Sequence, residues 1–231
     1  YLKALINLTK LHYETCREYR ILIDKFRLNI DECKSVEDLP FLPVNLFKEY
    51  PLMSVKKEEV VQVLTSSGTT GANLSNIYLD RLNATNQKRA LVNIVKAATG
   101  DKRLPMLIVD AKETVKRGKS FSGRGAGIAG FSVLATDVTY ALNENMELDR
   151  NALDHFFEKN KGSKVILFGF TYMIWQYFCT PLIENSQSFQ LKDSVLIHGG
   201  GWKKLYDKSV NNKVFSSVVK EVTGIKKVIN Y

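Results

Sequence analysis

The segment Val165–Phe178, VILFGFTYMIWQYF, decides the fold class of this chain. It begins as a continuous apolar run, and Gly169 separates that run from an aromatic-rich continuation. A membrane-spanning helix needs roughly 20 apolar residues, and this segment is shorter. We therefore predict a buried strand over Lys164–Phe168 that is followed by a helix over Tyr172–Ile183.

Strand-like and helix-like patterns alternate on both sides of this segment. Asp149 is a plausible helix N-cap, and Gly162 and Gly224 are helix stops. The alternation predicts an α/β fold with a mainly parallel sheet flanked by helices. The predicted strands are Val60–Leu64, Asn76–Leu79, Pro105–Val109, Phe131–Thr136, Lys164–Phe168, Ser194–His198 and Lys227–Tyr231. The predicted helices are Leu2–Leu28, Val44–Glu49, Ala84–Ala98, Asp149–Asn160, Tyr172–Ile183 and Val210–Val222.

The composition is globular, with a surplus of positive charge. Hydrophobic residues make up 45% and charged residues 25% of the 231 residues, which argues against a collagen-like or largely disordered chain. The net charge of +9 suits an anionic partner, such as nucleic acid, a membrane surface or a phosphorylated small molecule. No aromatic-basic interleaving or helix-turn-helix pattern is evident, so we expect no nucleic-acid partner.

The reactive residue types form no familiar catalytic or metal-binding pattern. Cys16, Cys33 and Cys179 are odd in number and lack CxxC spacing, which favours a reducing cytoplasm over a disulfide framework. No HExxH or similar spacing is present, so we assign no metal ligands. Ser66 and Ser67 lack a nucleophile elbow, and we assign no catalytic residue. We expect no transmembrane segment.

A loop rich in hydroxyl groups follows the predicted strand Val60–Leu64. It contains five hydroxyl residues and two glycines, and it reads Thr65-Ser66-Ser67-Gly68-Thr69-Thr70-Gly71. Hydroxyls and free backbone N–H groups surround phosphate oxygens without adding bulk. The loop is not a Walker-type P-loop, because no Gly-Lys-Ser/Thr follows. We predict a phosphate-binding loop, and the alternative is a flexible polar hairpin turn.

Two further glycine clusters lie downstream. Gly118–Gly127 is expected to be a basic loop in which Arg124 reaches a carboxylate or phosphate, and a mobile solvated loop is the alternative. No strand comes directly before this cluster and no helix opening is evident, so we do not interpret it as a dinucleotide fingerprint. Gly199, Gly200 and Gly201 follow the strand that ends at His198. They are predicted to present bare backbone to a flat ring, with a tight turn as the alternative.

These motifs resemble those of adenylate-forming enzymes, and the Thr65–Gly71 loop resembles their phosphate-binding signature. Within that group the chain resembles the acyl-protein synthetase branch, of the luminescence fatty-acid reductase type, from roughly Leu39 to Tyr231. That narrower resemblance rests on the segments Phe41–Lys48, Arg124–Gly127 and His198–Trp202. It implies the large N-terminal lobe of a ligase that uses ATP and Mg²⁺. Such an enzyme activates a carboxylic, typically fatty, acid as an acyl-adenylate and passes the acyl group to a protein thiol.

The resemblance also implies roles for particular residues. The Thr65–Gly71 loop would hold the β- and γ-phosphates, the three glycines would line the adenine, and Tyr231 would stack on it. Gly169, Phe170 and Thr171 would border the acyl carboxylate. The aromatic run through Phe178 is then either an acyl pocket or the core face of a helix. Because the chain has Ala72–Ser75 where many relatives carry a lysine, Mg²⁺ or a distant cation such as Arg124 would meet the phosphate charge.

The expected organisation is a helical leader over residues 1–38 and an α/β core over residues 39–231. The small C-terminal lobe with its catalytic lysine is expected to lie beyond Tyr231, and this piece alone is expected to be inactive. An acyl reductase or acyl-carrier protein is the expected protein partner. Two alternatives are an acyl-CoA ligase of the phenylacetate–CoA ligase type and a non-catalytic basic module that binds anions.

Overall fold

The computed structural model describes residues 1–65, 74–100, 102–116, 123–191, 193–202, 207 and 209–231. The chain divides into two compact units, Tyr1–Lys88 and Arg89–Tyr231. The division into a leader over residues 1–38 and a core over residues 39–231 stays a prediction. Among the described residues, no helix combines the length and the apolar character that crossing a membrane requires.

The first unit begins with helices, continues into a pair of strands and ends within the helix that follows them. Its elements are α1 (Leu2–Thr15), α2 (Arg17–Phe26), a 3₁₀ turn (Ile30–Glu32), α3 (Leu46–Glu49), a second 3₁₀ turn (Lys57–Glu59), β1 (Val60–Thr65) and β2 (Asn76–Asp80). The prediction of one helix over Leu2–Leu28 is wrong at Cys16, which is extended and separates α1 from α2. Arg20 donates hydrogen bonds to the carbonyls of Tyr13 and Glu14, so the break leaves these carbonyls satisfied.

Strands β1 and β2 pair antiparallel, with Leu64 opposite Ile77 and Thr65 opposite Asn76. Thr65, the first residue of the predicted phosphate loop, is therefore the last residue of β1. The loop connects the two strands of an antiparallel pair. Its other members, Ser66–Gly71, lie outside the described residues.

The second unit carries a parallel sheet and the helices that cover it. Helix α4 (Arg81–Thr99) starts in the first unit and continues into the second. The elements that follow are β3 (Leu104–Ala111), α5 (Glu113–Lys116), α6 (Gly123–Ser132), β4 (Ala135–Leu142), α7 (Arg150–Lys159), β5 (Ile166–Phe170), α8 (Thr171–Met173), a π-helical stretch (Ile174–Cys179), α9 (Thr180–Glu184), β6 (Val195–Gly199), α10 (Asn212–Thr223) and β7 (Lys227–Asn230). The side chain of Asp149 accepts a hydrogen bond from the N–H of Ala152, which confirms the predicted cap of α7.

The sheet has the strand order β4-β3-β5-β6-β7, and every neighbouring pair is parallel. This confirms the predicted α/β class. Alternate residues of β3 enter two separate cores: Leu107 and Val109 pack on one face, and Met106 and Ile108 on the other. Because helices cover both faces, the strands are apolar at nearly every position.

The order of the strands creates a switch point between β3 and β5. Helix α6 follows β3 and packs through Ile128 and Phe131 on the face that holds Ile108. The helical segment after β5 packs through Ile174 and Phe178 on the opposite face, with Leu107. In open α/β sheets, ligands bind in the crevice at the carboxyl ends of such a pair of strands.

The structure corrects two predictions around the second glycine cluster. The part from Gly123 onward is helix α6 and not a loop, and the strand predicted over Phe131–Thr136 begins only at Ala135. The apolar residues Ile128 and Phe131 lie three apart on the face of α6 that packs against the sheet. Glycine is a poor helix former, so this buried apolar face stabilises the helix where local propensity does not.

Candidate active site

Polar side chains collect at the carboxyl edge of the parallel sheet, around the switch point. Asp110 lies near the end of β3, Thr171 directly follows β5, and His198 lies near the end of β6. All three are buried, with 1%, 6% and 3% of their surface exposed. A buried polar side chain costs free energy unless it has partners, and these three belong to two separate networks.

The first network is an ion pair between Asp110 and Arg124 of α6. Arg124 Nε lies 3.1 Å from Asp110 Oδ2. Asp110 Oδ1 accepts hydrogen bonds from the Thr114 hydroxyl at 2.6 Å and from the N–H of Ala111 at 2.8 Å. Oδ2 receives no well-aligned hydrogen bond from the described residues, so its contact with Arg124 is mainly electrostatic.

The remaining nitrogens of Arg124 also have partners. Nη1 donates to the Tyr172 hydroxyl at 2.9 Å and lies 3.4 Å from the Met173 sulfur, and Nη2 donates to the Thr114 hydroxyl at 3.2 Å. The guanidinium thus joins the end of β3 to the start of the helix after β5. Its side chain is 26% exposed, so part of the cation still faces solvent.

Burial sets the electrostatics of this pair. Desolvation raises the pKa of Asp110 above its ordinary value, while the Thr114 hydrogen bond and the Arg124 charge oppose that rise. The Arg124 charge compensates the buried carboxylate when it is ionised. The pair therefore holds the Arg124 guanidinium in a fixed position at the switch point.

The second network is neutral and centres on the hydroxyl of Thr171. Its Oγ1 lies 2.9 Å from His198 Nδ1, 2.9 Å from the carbonyl oxygen of Gly200 and 3.2 Å from that of Gly199. Burial lowers the pKa of His198 to about 4, so the imidazole is neutral at physiological pH. Its ring packs against Phe215, with the ring centroids 4.6 Å apart.

The ring of Phe170 lies between two of the glycine clusters. A Cβ built on Gly127 of α6 would come within 3.1 Å of the ring, and one built on Gly200 would come within 3.0 Å. Gly200 also has φ +74°, a conformation that favours glycine. These two glycines therefore make room for an aromatic side chain of the protein itself. Gly169 is similar, since a Cβ there would lie 2.9 Å from Ile174.

Unlike the glycines packed against protein side chains, Gly201 and Tyr231 lie at an exposed part of this edge. A Cβ on Gly201 would meet no atom of the described residues within 4 Å. The N–H of Tyr231 donates to the carbonyl of His198 at 2.7 Å, which places Tyr231 beside the glycine turn. Tyr231 is 56% exposed, and its ring meets Phe131 edge to face. Open backbone beside an exposed aromatic ring is a suitable surface for a flat heterocycle.

The structure brings most of the predicted site residues to one edge of the sheet. Phe170, Thr171, Gly199 and Gly200 meet through the contacts described above, whereas Arg124 lies in the separate network with Asp110. The predicted ligand roles of these residues, and those of Gly169, Gly201, Tyr231 and the Thr65–Gly71 loop, stay predictions.

Sequence reasoning missed Asp110, Thr114, Tyr172 and His198 as members of the site. Asp110 was visible only as the polar residue that closes an apolar strand. In a parallel sheet that position points to the functional edge. His198 was visible as a polar residue beside three glycines. The sequence does not show which residues Asp110 and His198 contact, because Arg124 and Thr171 lie on other elements of the fold.

The aromatic run after β5 mainly builds the core. Ile174 and Phe178 of the π-helical stretch are fully buried in the larger core cluster. Cys179 is a free thiol in the same stretch, and burial raises its pKa to about 12. These features favour the core-face interpretation of the run. A thiol with so high a pKa is not a nucleophile at neutral pH.

The described residues contain no group of three His, Cys, Asp or Glu side chains that could hold a metal ion. Asp110 is paired with Arg124. We therefore assign no Mg²⁺ ligand among the residues that the structure describes.

Curated relatives of this chain carry the name of a ligase. Two proteins named long-chain-fatty-acid–luciferin-component ligase match it over most of its length. The Aliivibrio fischeri protein is 25% identical over 228 residues, which is 94% of this chain and 57% of that protein. The Vibrio harveyi protein is 27% identical over 219 residues, which is 91% of this chain and 55% of that protein. The chain thus spans little more than half the length of these relatives.

A solved structure and a protein family give the remaining comparisons. The crystal structure of 2-hydroxyisobutyryl-CoA ligase, in complex with 2-HIB-AMP and CoA, matches with a TM-score of 0.57 and 15% identity. The match covers 85% of this chain and 42% of that one, and it shows that the two share a fold. The family described as acyl-protein synthetase, LuxE, matches residues 1–230. The chain therefore belongs to the acyl-protein synthetase family LuxE.

Proposed function

We propose that the protein activates a long-chain fatty acid with ATP as an acyl-adenylate and then transfers the acyl group to a protein thiol. The observation that carries this proposal is the family match over residues 1–230. The ligase names of the two relatives supply the substrate class. The polar networks at the switch point of the sheet support the proposal, because they include an arginine and a glycine turn at the edge where ligands bind in such sheets.

The chemistry explains what such a site must do. A carboxylate is a poor electrophile, because its leaving group would be oxide. Attack of the carboxylate oxygen on the α-phosphorus of ATP forms a mixed anhydride and releases pyrophosphate. AMP is then the leaving group when a thiolate attacks the acyl carbon. The protein has to align two anions and stabilise the charge that develops between them.

Arg124 is the side chain best placed for that task. It keeps a permanent positive charge at the carboxyl end of β3, and its partners Asp110, Thr114 and Tyr172 hold it in one orientation. A preorganised cation stabilises a developing anion without a reorganisation cost during the reaction. We assign it to the acyl carboxylate or to a phosphate oxygen.

The glycine turn after β6 suits the adenine. No atom of the described residues lies within 4 Å of a Cβ built on Gly201, and the exposed ring of Tyr231 lies beside the turn. We assign the triphosphate to the Thr65–Gly71 loop on the basis of its sequence. Mg²⁺ accompanies ATP in the proposed reaction. We derive no step through it, because the described residues hold no ligand set for it.

The proposed acceptor is a protein thiol, in keeping with the family description. Cys179 is not that thiol, because it is buried and its pKa is about 12. An acyl reductase or an acyl-carrier protein is the proposed partner, and the cytoplasm is the proposed location. Acylation of a protein cysteine, compared with thioester formation on added CoA, separates this proposal from a CoA ligase.

Acid-dependent exchange of pyrophosphate into ATP tests the activation step. The complete protein should catalyse exchange with a long-chain fatty acid and not without it. Gly68→Val and Thr69→Ala should abolish the exchange, because they alter the predicted phosphate loop. Thr136→Ala, at an exposed position of β4, is the control and should retain it. Exchange that is unaffected by the two loop variants would remove the assignment.

A further inference from the structure

The hydroxyl of Thr171 is the junction between the segment after β5 and the glycine turn after β6. It is within hydrogen-bond distance of one imidazole nitrogen and two backbone carbonyls. Thr171 is 6% exposed, so little water competes for these contacts. A threonine hydroxyl has one proton to donate and two lone pairs that accept.

One assignment of the protons satisfies all three contacts. The carbonyl oxygens of Gly199 and Gly200 can only accept, so in this assignment they share the single proton of Thr171. The 2.9 Å contact with His198 Nδ1 is then a hydrogen bond only if Nδ1 carries a proton and donates it to Oγ1. His198 is neutral, so this assignment fixes its tautomer with the proton on Nδ1 and a lone pair on Nε2.

From this arrangement we infer that Thr171 is a positioning residue for the nucleotide and not a ligand of the acyl carboxylate. Its one proton is used within this network of protein acceptors, so none is left for a substrate oxygen. The Thr171 hydroxyl and the Phe170 ring, which packs against Gly200, together fix the backbone conformation of the glycine turn. The inference rests on the proposed function, which puts the adenine on this turn.

The segment expected to border the acyl carboxylate contacts the turn expected to carry the adenine. Phe170 and Thr171 are consecutive residues at the end of β5, where the acyl carboxylate is expected. The ring of Phe170 and the hydroxyl of Thr171 both contact the turn that would carry the adenine. Thr171 therefore acts on the ATP side of the reaction even though the resemblance implies a role on the acid side.

Steady-state kinetics of three proteins tests this inference: the complete wild-type protein, Thr171→Val and Thr171→Ser. Valine keeps the shape and removes the hydroxyl, whereas serine keeps the hydroxyl. We expect Thr171→Val to raise the KM for ATP about tenfold, as the loss of one or two buried hydrogen bonds implies. The KM for the fatty acid should stay within about twofold, and Thr171→Ser should resemble the wild type.

The opposite effect on the two KM values would overturn the inference. A raised KM for the acid with an unchanged KM for ATP would make Thr171 an acyl ligand. Unchanged values for both substrates would leave it without a positioning role. If Thr171→Val does not fold, Thr171→Ala is measured against Thr171→Ser and interpreted in the same way.

Amide hydrogen exchange at Gly200 and Gly201 gives a second measurement that needs no catalysis. It is made on the same proteins without substrate. Exchange should be about tenfold faster in Thr171→Val and unchanged in Thr171→Ser, because the hydroxyl holds the turn. Equal exchange in all three proteins would overturn the inference. If the wild type shows no acid-dependent pyrophosphate exchange, the proposed function fails, and this measurement still decides whether Thr171 holds the turn.

Discussion

Two polar networks share the carboxyl edge of the sheet, and they respond to burial in different ways. In the Asp110–Arg124 network, a second charge compensates a buried one. In the Thr171–His198 network, no formal charge remains at neutral pH. Desolvation favours the neutral form in both, so it raises the pKa of Asp110 and lowers that of His198. The first network fixes the position of the Arg124 guanidinium, whereas the second links Thr171 to the backbone of the glycine turn.

Removing the cation should have the largest effect on stability. Arg124→Gln leaves the Asp110 carboxylate buried without its counter-ion, and we expect a loss of about 3–5 kcal/mol at pH 7. The loss should be smaller near pH 4. Without Arg124 the pKa of folded Asp110 rises further above its unfolded value, so stability falls as the pH rises through the folded pKa. Chemical denaturation at both pH values measures this.

Lys159→Gln is the matched control for this experiment. It removes the exposed ion pair with Asp137, whose distance is 2.9 Å. We expect a change below about 1 kcal/mol, because solvent screens exposed pairs. Equal losses in the two variants would contradict the charge compensation that distinguishes the first network.

Acid should weaken the second network. The pKa of His198 is about 4 in the folded chain and 6.5 for the free side chain, so the unfolded state binds more protons between those values. Stability from this residue is fully present above pH 6.5 and is lost as the pH falls towards 4. The loss amounts to at most about 3 kcal/mol. Denaturation of wild type and His198→Gln across this range should show a steeper acid loss for wild type, with His155→Gln as the control for loss of an exposed histidine.

The smallest expected change in stability comes from comparing two neighbouring glycines of the turn. Gly200→Ala puts a Cβ at positive φ and within 3.0 Å of the Phe170 ring, and we expect a loss of about 1–2 kcal/mol. Gly201→Ala puts a Cβ where no atom of the described residues lies within 4 Å, and the stability of this variant should change by less than about 0.5 kcal/mol. Thermal unfolding of both variants measures the difference. Equal losses would contradict the assignment of Gly200 as the glycine packed against protein.

The sequence was sufficient to predict the parallel sheet, because strands covered on both faces are apolar at nearly every position. It was not sufficient for helix α6. Glycines in Gly123–Ser132 lower the local helix propensity, and contacts with Phe170 and the sheet stabilise the helix. The helix cap at Asp149 was predictable, because its side chain bonds the N–H of Ala152 within the same helical turn.

The pairs that build the site were not predictable for a related reason. Asp110 and Arg124 lie on different elements, as do Thr171 and His198, and only the strand order brings them together. Three adjacent glycines looked like one ligand surface. The structure divides them, since Gly200 accommodates Phe170, whereas a Cβ on Gly201 would meet nothing within 4 Å in the described part of the chain. Residue type alone does not distinguish these two uses of glycine.

The most direct test of the account is a crystal structure of the complete protein with a non-hydrolysable ATP analogue. We predict that the adenine lies against Gly199–Gly201 beside Tyr231. The hydroxyl of Thr171 should still donate to the glycine carbonyls in that complex. A nucleotide bound away from the carboxyl edge of the parallel sheet would contradict the account.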